Sequence, residues 1–301
     1  MSNILNTKVK FYRNLKDMAF STTINSNSQQ DLLKLGLDAC TSCGLKAEQL
    51  ETLSDNVINS LVASNQLEQE FVINTKYKGY ASNNNASVQI NGNSHIEIMA
   101  NELSMQNAYA NAKQVDKLLC NKLHFAYNDK YGFLNADIRR LGSGMTISTL
   151  VALPALTKLN AIKNLPKSND KLIFNIEPIN AYGGIYLITN GPSLGYSEKQ
   201  ICELTSSYID KVVKCEIEMS KTLAKDKIEV TDKASRAKAI INSCIKISPD
   251  ELYGLIGDVL IAINSGLQKD IDTTQILKLF NSVNNDTDEE KLAKLIKNIL
   301  K

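Results

Sequence analysis

The spacing of apolar residues changes character once along this chain, and that change limits what it can fold into. Up to about residue 190, short strand-like segments recur: "TKVKFY" at 7–12, "FVINT" from Phe71, "SVQIN" from Ser87, "HIEIMA" from His95, then "KLIFNIE" and "GGIYLITN". The tracts "SNNNA" and "GNS" separate the second, third and fourth of these as hairpin loops do. Helices are expected near 28–40, near 105–121 and near 47–64, where Leu50, Leu53, Val57 and Leu61 fall at helical spacing. From about residue 228 the period is helical throughout. The pattern predicts an α/β portion over 1–226 and a helical C-terminal domain over 227–301.

Helix starts are marked by side chains that satisfy free backbone N–H groups. Ser197 with Gln200 forms a capping box, and the amphipathic face continues through Ile201, Leu204, Tyr208 and Val212. Ser248, Pro249 and Glu251 supply N-cap, N1 and N3 of another helix. Thr287 and Glu290 suggest a last cap, before Leu292, Leu295, Ile296, Ile299 and Leu300 on one face.

The charge balance argues against a polyanion partner. With 34 basic and 32 acidic side chains the net charge is +2, so no global field draws in nucleic acid or a membrane surface. The longest apolar run, "LYGLIGDVLIAI", is interrupted by Asp258 and falls short of the ~20 residues a membrane span needs. The start, "MSNILNTKVKFYRNLKD", lacks the apolar core of a signal peptide, so a cytoplasmic protein with its six cysteines reduced is expected.

Taken singly, the candidate sites are weak. Cys40 and Cys43 form a lone CxxC; a zinc site needs four ligands and no partner pair is spaced to complete it, so no metal is expected. His95 and His124 are the only histidines, and neither lies near a nucleophile elbow. Lys8 and Lys10 share one face of the first strand, as a phosphate contact or as a solvated face. Gly142-Ser143-Gly144, ahead of an apparent helix beginning at Thr146, could offer backbone N–H groups to an anion, with Arg139 and Arg140 beside it.

In combination they are more specific. "YGFLNADIRRLGSGMTISTLVALPAL", Tyr131 to Leu156, resembles the signature of the guanidino phosphotransferases, the phosphagen kinases and the bacterial protein-arginine kinases. "NTKVKFYRNLKDMAF", "INGNSHIEIM" and "GGIYLITNGPSLGYSE" resemble further blocks of that family in the same order, and "DKASRAKAIINSCIKISPDELYGLIGDVLIAINSGL" is similar to the helical domain of the protein-arginine kinase branch. The resemblance implies an α+β fold: an antiparallel-sheet catalytic-type domain flanked by helices, followed by an all-helical domain.

It also implies a site, and here the chain departs from it. In the family, five arginines clamp the nucleotide phosphates, because planar guanidinium forks fit phosphate oxygens two at a time. Their positions fall on Lys8, Lys10, Glu97, Thr146 and, by an ungapped count back from Gly183, Leu172. The family's paired glutamates fall on Gly92 and Asn93, and its cysteine on Asp137. Glu177 would remain as a catalytic acid, and Arg13, His95 and Ser143 within the glycine turn as possible phosphate contacts, beside Arg139 and Arg140. Charge-assisted hydrogen bonds contribute ~1.5–3 kcal/mol each, so three lost remove roughly 5–9 kcal/mol, on the order of four to six decades in affinity. The family's phosphoarginine-type motif falls on "DEEKLA" at 288–293, acidic where cations are needed.

The expectation is therefore a catalytically degenerate protein-arginine kinase homologue, a pseudokinase acting as regulator or scaffold through protein contacts. Its partner would be itself or an active kinase paralogue, with no cofactor and no nucleic acid. The alternative is an active ATP:guanidino phosphotransferase that binds Mg-ATP in a rearranged site, with Glu177 as base. A second alternative is an anion- or nucleic-acid-binding module built on the Arg139/Arg140 loop.

Overall fold

A computed structural model describes residues 3–282, 288–297, 299 and 300. Strand β1 (Ile4–Arg13) lies near the centre of a sheet. Next come α1 (Ser26–Ser42), β2 (Lys46–Gln49), α2 (Asp55–Ala63), α3 (Gln69–Val72), β3 (Gly79–Ser82), β4 (Ser87–Ile90), β5 (Ile96–Glu102) and α4 (Met105–Cys120). The hairpin β6 (Tyr127–Asn128) and β7 (Gly132–Phe133) precedes β8 (Met145–Ala152), α5 (Pro154–Lys158), β9 (Ser168–Asn169), β10 (Leu172–Asn180), β11 (Ile185–Asn190) and α6 (Glu198–Leu223). Among the described residues four helices follow: α7 (Lys227–Ser243), α8 (Pro249–Ser265), α9 (Thr273–Asn281) and α10 (Glu289–Ile296). Nine strands form one antiparallel sheet, in the order β2-β3-β4-β5-β1-β8-β11-β10-β9.

Alternation along the strands gives the sheet two unlike faces. Val9, Phe11, Val88, Ile98, Ile147 and Ile188 point to one side, where α1, α4 and α6 cover them with Leu32, Ala108, Ala112, Val115, Ile201, Tyr208 and Val212. Each buried large apolar side chain contributes ~1.5–3 kcal/mol, so this layer is the main source of stability. The opposite face carries Lys8, Lys10, Tyr12, Glu97, Asn101, Thr146 and Ser148, and it forms the floor of a cleft.

The helical C-terminal part shares its core with the sheet. Ile241, Leu252, Ile256, Val259, Leu260, Leu279 and Leu292 pack in one cluster with Leu5 of β1, Ala152 of β8 and Ile185 of β11. At the junction Glu216 of α6 accepts hydrogen bonds from the backbone N–H groups of Ala155 (2.8 Å) and Leu156 (2.9 Å), which fixes the start of α5.

Several local expectations are corrected. The stretch 47–64 begins as the edge strand β2 and a short 3-10 turn, so only Asp55–Ala63 is α-helix. "FVINT" ends the short helix α3, and the strand pairing with β4 starts at Gly79. The run after Gly144 is strand β8, with Met145, Ile147, Thr149 and Val151 buried and the residues between them only partly so; the helix begins at Pro154. Gly142-Ser143-Gly144 therefore precedes no helix N-terminus. The caps of α6 and α8 stand as expected. Asp288 caps α10, Thr287 lies outside the described residues, and Leu295 is exposed rather than on the packed face.

Candidate functional site

The cleft has a volume of about 850 Å³, and its walls divide into a polar and an apolar end. At the polar end stand Lys8, Lys10, Tyr12, Glu68, Asn101, Thr146 and Ser148; at the other, Leu150, Ile185, Leu187, Tyr253, Leu277 and Phe280. Cross-strand register builds the floor: Asn101, Lys8, Ser148 and Thr189 form one row, and Met99, Lys10 and Thr146 the next. Lys8 and Lys10 are thus held side by side, as their spacing in the sequence suggested.

Both lysines already have carboxylate partners. Lys10 Nζ pairs with Glu97 of β5 and, at 2.5 Å, with Glu68 Oε2. Glu68 Oε1 stands 3.6 Å from Lys8 Nζ. Burial pulls the Lys10 pKa down, but Glu97, Tyr12 and Glu68 outweigh it and hold the ammonium above its ordinary value. Lys8, with less compensation from Glu68, is lowered by burial. Glu68 is pushed up by burial but pulled further down by Lys10 and Lys8, which keeps it ionised. Two ammonium groups and two carboxylates make this end electrically closed.

Arg13 is turned away from the cleft and fully buried. Its fork binds Asp116 of α4 through Nε (2.8 Å) and Nη2 (3.0 Å), while Nη1 donates to the carbonyls of Ser143 (2.9 Å) and Tyr12 (3.1 Å). The Phe133 ring lies 3.6 Å from the guanidinium carbon. Gly144, at φ +57°, makes this docking feasible, since a Cβ there would stand 2.8 Å from Arg13 Nη1 and from the Tyr12 carbonyl. Arg13 therefore ties the glycine turn to β1 and α4. Ser143 keeps its hydroxyl local, accepting from the Met145 N–H at 3.3 Å.

His95 is also saturated. Nδ1 accepts from the Leu15 N–H and Nε2 faces the Ala19 carbonyl, both at 2.9 Å, which requires the neutral ring protonated on Nε2. Burial lowers its pKa in support of that form. Arg139 is exposed and forks onto Asp137, and Arg140 stacks 4.0 Å from the Tyr12 ring with Asp137 at 3.6 Å. Among the described residues no group of His, Cys, Asp and Glu could hold a metal ion.

The cleft lies over the centre of an antiparallel sheet whose other face is covered by helices, and comparison with known proteins gives that arrangement a family. Residues 37–219 match the family described as ATP:guanido phosphotransferase, C-terminal catalytic domain. The chain belongs to this family. Protein-arginine kinase from Halothermothrix orenii is 27% identical over 289 residues, covering 92% of this chain and 83% of that one. The Clostridium kluyveri protein-arginine kinase is 25% identical over 291 residues, covering 92% and 84%. Among solved structures, the duplicated taurocyamine kinase from Schistosoma mansoni with bound transition state analog components superposes with a TM-score of 0.62 at 20% identity. That match covers 71% of this chain and only 33% of the duplicated kinase. Lombricine kinase gives 0.58 at 17% identity, covering 71% and 66%. These structural likenesses establish the shared fold.

The positions that the sequence resemblance matches to the family's arginines behave differently from one another. Lys8, Lys10, Glu97 and Thr146 all lie on the cleft face. Leu172 does not. It is 1% exposed in the helix-covered core with Phe174, and the cleft-facing residues of β10 are Ile173, Asn175 and Glu177. The register of β10 with β11 shifts between Pro178 and Asn180. Ile173 and Asn175 are equally uncharged. Glu177 pairs with Leu187 across the sheet, is exposed, and accepts from Asn175 Nδ2.

Gly92 and Asn93 sit in the β4–β5 turn. A Cβ on Gly92 would stand 2.9 Å from Glu97 Oε1, an oxygen that also accepts from the Ser94 N–H at 2.8 Å. A side chain at 92 and the carboxylate at 97 would thus compete for the same space. Sequence reasoning missed Glu68 and Asp116: each meets its lysine or arginine from a distant segment, 58 and 103 residues away, so no local pattern marks them.

Proposed function

We propose that this chain is a non-catalytic member of the guanidino phosphotransferase family, a pseudokinase of the protein-arginine kinase branch that acts as a regulator or scaffold through protein contacts. The observation that supports this most is the closed charge cluster in the cleft. Phosphoryl transfer depends on cations free to meet phosphate oxygens, and the lysines here are engaged by Glu68 and Glu97. Arg13 is committed to Asp116, and Arg139 and Arg140 to Asp137. On this reading the chain needs no cofactor, works in the cytoplasm, and meets a second copy of itself or an active kinase paralogue through its helical part, where Ile228 and Ile245 are exposed.

Calorimetry with Mg-ATP tests the proposal: no binding tighter than about 100 μM is expected. Radiolabel transfer from ATP to an arginine-rich protein, lost on Glu177→Gln, would overturn it. One observation favours the alternative of an active enzyme, namely that Glu177 is an exposed carboxylate on the cleft face of β10. The reading as a nucleic-acid or anion module gains nothing from the Arg139/Arg140 loop, whose charge Asp137 shares.

A further inference from the structure

Residues Asn65–Glu68 leave the end of α2 and cross the cleft face of the sheet as a strap. The Asn65 carbonyl accepts from Asn101 Nδ2 on β5 at 2.9 Å. The Gln66 carbonyl accepts from the Ser87 hydroxyl on β4 (2.9 Å), and Gln66 Oε1 from the Tyr80 hydroxyl on β3 (2.6 Å). Leu67 is buried with Leu50, Ile58, Phe71 and Tyr80 in a small core of its own. Glu68 then reaches β1, so the strap is anchored on four adjacent strands.

Its last residue imitates a ligand. Glu68 Oε1 faces Lys8 and Oε2 faces Lys10, one oxygen to each ammonium, which is how two oxygens of a phosphate group would bridge the same pair. Beside this cluster, Gln89 of β4 shares the cleft face and pairs in register with Glu97. It is fully buried, yet neither atom of its amide has a hydrogen-bond partner. A buried amide left unpaired is costly, and it marks unused polar capacity beside the ion-pair cluster.

We propose that the strap is a built-in occupant: Glu68 fills an oxyanion seat formed by Lys8 and Lys10, and its withdrawal opens that seat to one free oxyanion. This rests on the non-catalytic reading of the cleft. With Glu68 in place the two lysines are balanced by Glu68 and Glu97; with it removed a single positive charge remains. The exchangeable ligand is therefore a lone oxyanion such as inorganic phosphate, and a triphosphate is excluded by the charge that Glu97 retains.

Calorimetry with inorganic phosphate at low salt decides this, on the unaltered chain, Glu68→Gln and Glu68→Ala. Both variants are expected to bind phosphate at least tenfold more tightly than the unaltered chain, and adding Lys8→Ala should abolish the gain. Equal phosphate binding by all three, or folded variants that gain nothing, would overturn the proposal. So would a failure of both variants to fold, because an exchangeable occupant has to be dispensable to the fold. Phosphoryl transfer by the unaltered chain would refute the non-catalytic reading instead, and the phosphate comparison would separate the two failures.

Discussion

Lys10 on β1 and Glu97 on β5 face the same side of the sheet from neighbouring strands and form an ion pair with 5% and 1% of their side chains exposed. The resemblance read from the sequence matches both positions to phosphate-holding arginines, and here the residue on β5 is the counter-ion of the one on β1. The pair also draws in Glu68, so the cations of the cleft are satisfied by the protein itself.

The pair should behave as a buried unit. Breaking it by Lys10→Ala leaves Glu97 without its closest cation and is expected to destabilise by about 3–5 kcal/mol, whereas Lys10→Met with Glu97→Leu should cost much less than the two single changes added together. Urea unfolding of the four proteins gives the coupling directly.

Gly92 and Glu97 should also be coupled, through space rather than charge. Gly92→Ala places a methyl group 2.9 Å from Glu97 Oε1 and is expected to cost about 1–3 kcal/mol. The same substitution in a Glu97→Ala background should cost distinctly less. Thermal unfolding of both pairs checks it.

Arg13 is expected to be a fold determinant. Arg13→Lys keeps the charge but loses the fork on Asp116 and the bonds to Ser143 and Tyr12. A loss of about 2–4 kcal/mol is expected, with the Gly142–Gly144 turn as the first region to exchange its amide hydrogens.

Glu216 should give the stability a measurable pH slope. Burial raises its pKa from the ordinary 4.5 to about 7, against the opposing hydrogen bonds from Leu156 and Ala155. Because the folded state holds the proton more tightly, the contribution is complete below pH 4.5 and is lost as pH rises through 7. The full effect is about 3 kcal/mol by the usual conversion. His95, lowered by burial, acts in the opposite sense: its contribution is present above pH 6.5 and is lost as pH falls. The comparison that isolates Glu216 is the unaltered chain against Glu216→Gln, whose stability difference should change across pH 4.5–7 and flatten beyond it.

Much of the architecture was legible in the sequence because it is written in local periods. The alternation of "TKVKFY" became β1, and the capping box at Ser197 and the N-cap at Ser248 start α6 and α8 where expected. Where the reading failed, tertiary context overrode local preference. "MTISTLVA" is an apolar run compatible with helix or strand, and pairing with β1 and β11 on either side decides for strand. "FVINT" has strand composition, yet Phe71 is drawn into the small core beside β3 and the pairing starts later. Position 172 was reached by counting alone, and it is the pairing of β10 with β11 that turns Leu172 into the helix-covered core.

By itself the sequence determined the strand and helix periods and the glycine turn, and its resemblance to the family implied the replacement of arginines by Lys8, Lys10, Glu97 and Thr146. Those are properties of chemical type and spacing along the chain. Only the tertiary structure decided what the replacements do, because the energy of a charge depends on what stands next to it. That Glu97 neutralises Lys10, that Glu68 bridges both lysines, and that Asp116 binds the fork of Arg13 are facts of distance between segments far apart in the chain. Coulombic interaction falls with separation in space and takes no account of separation in sequence.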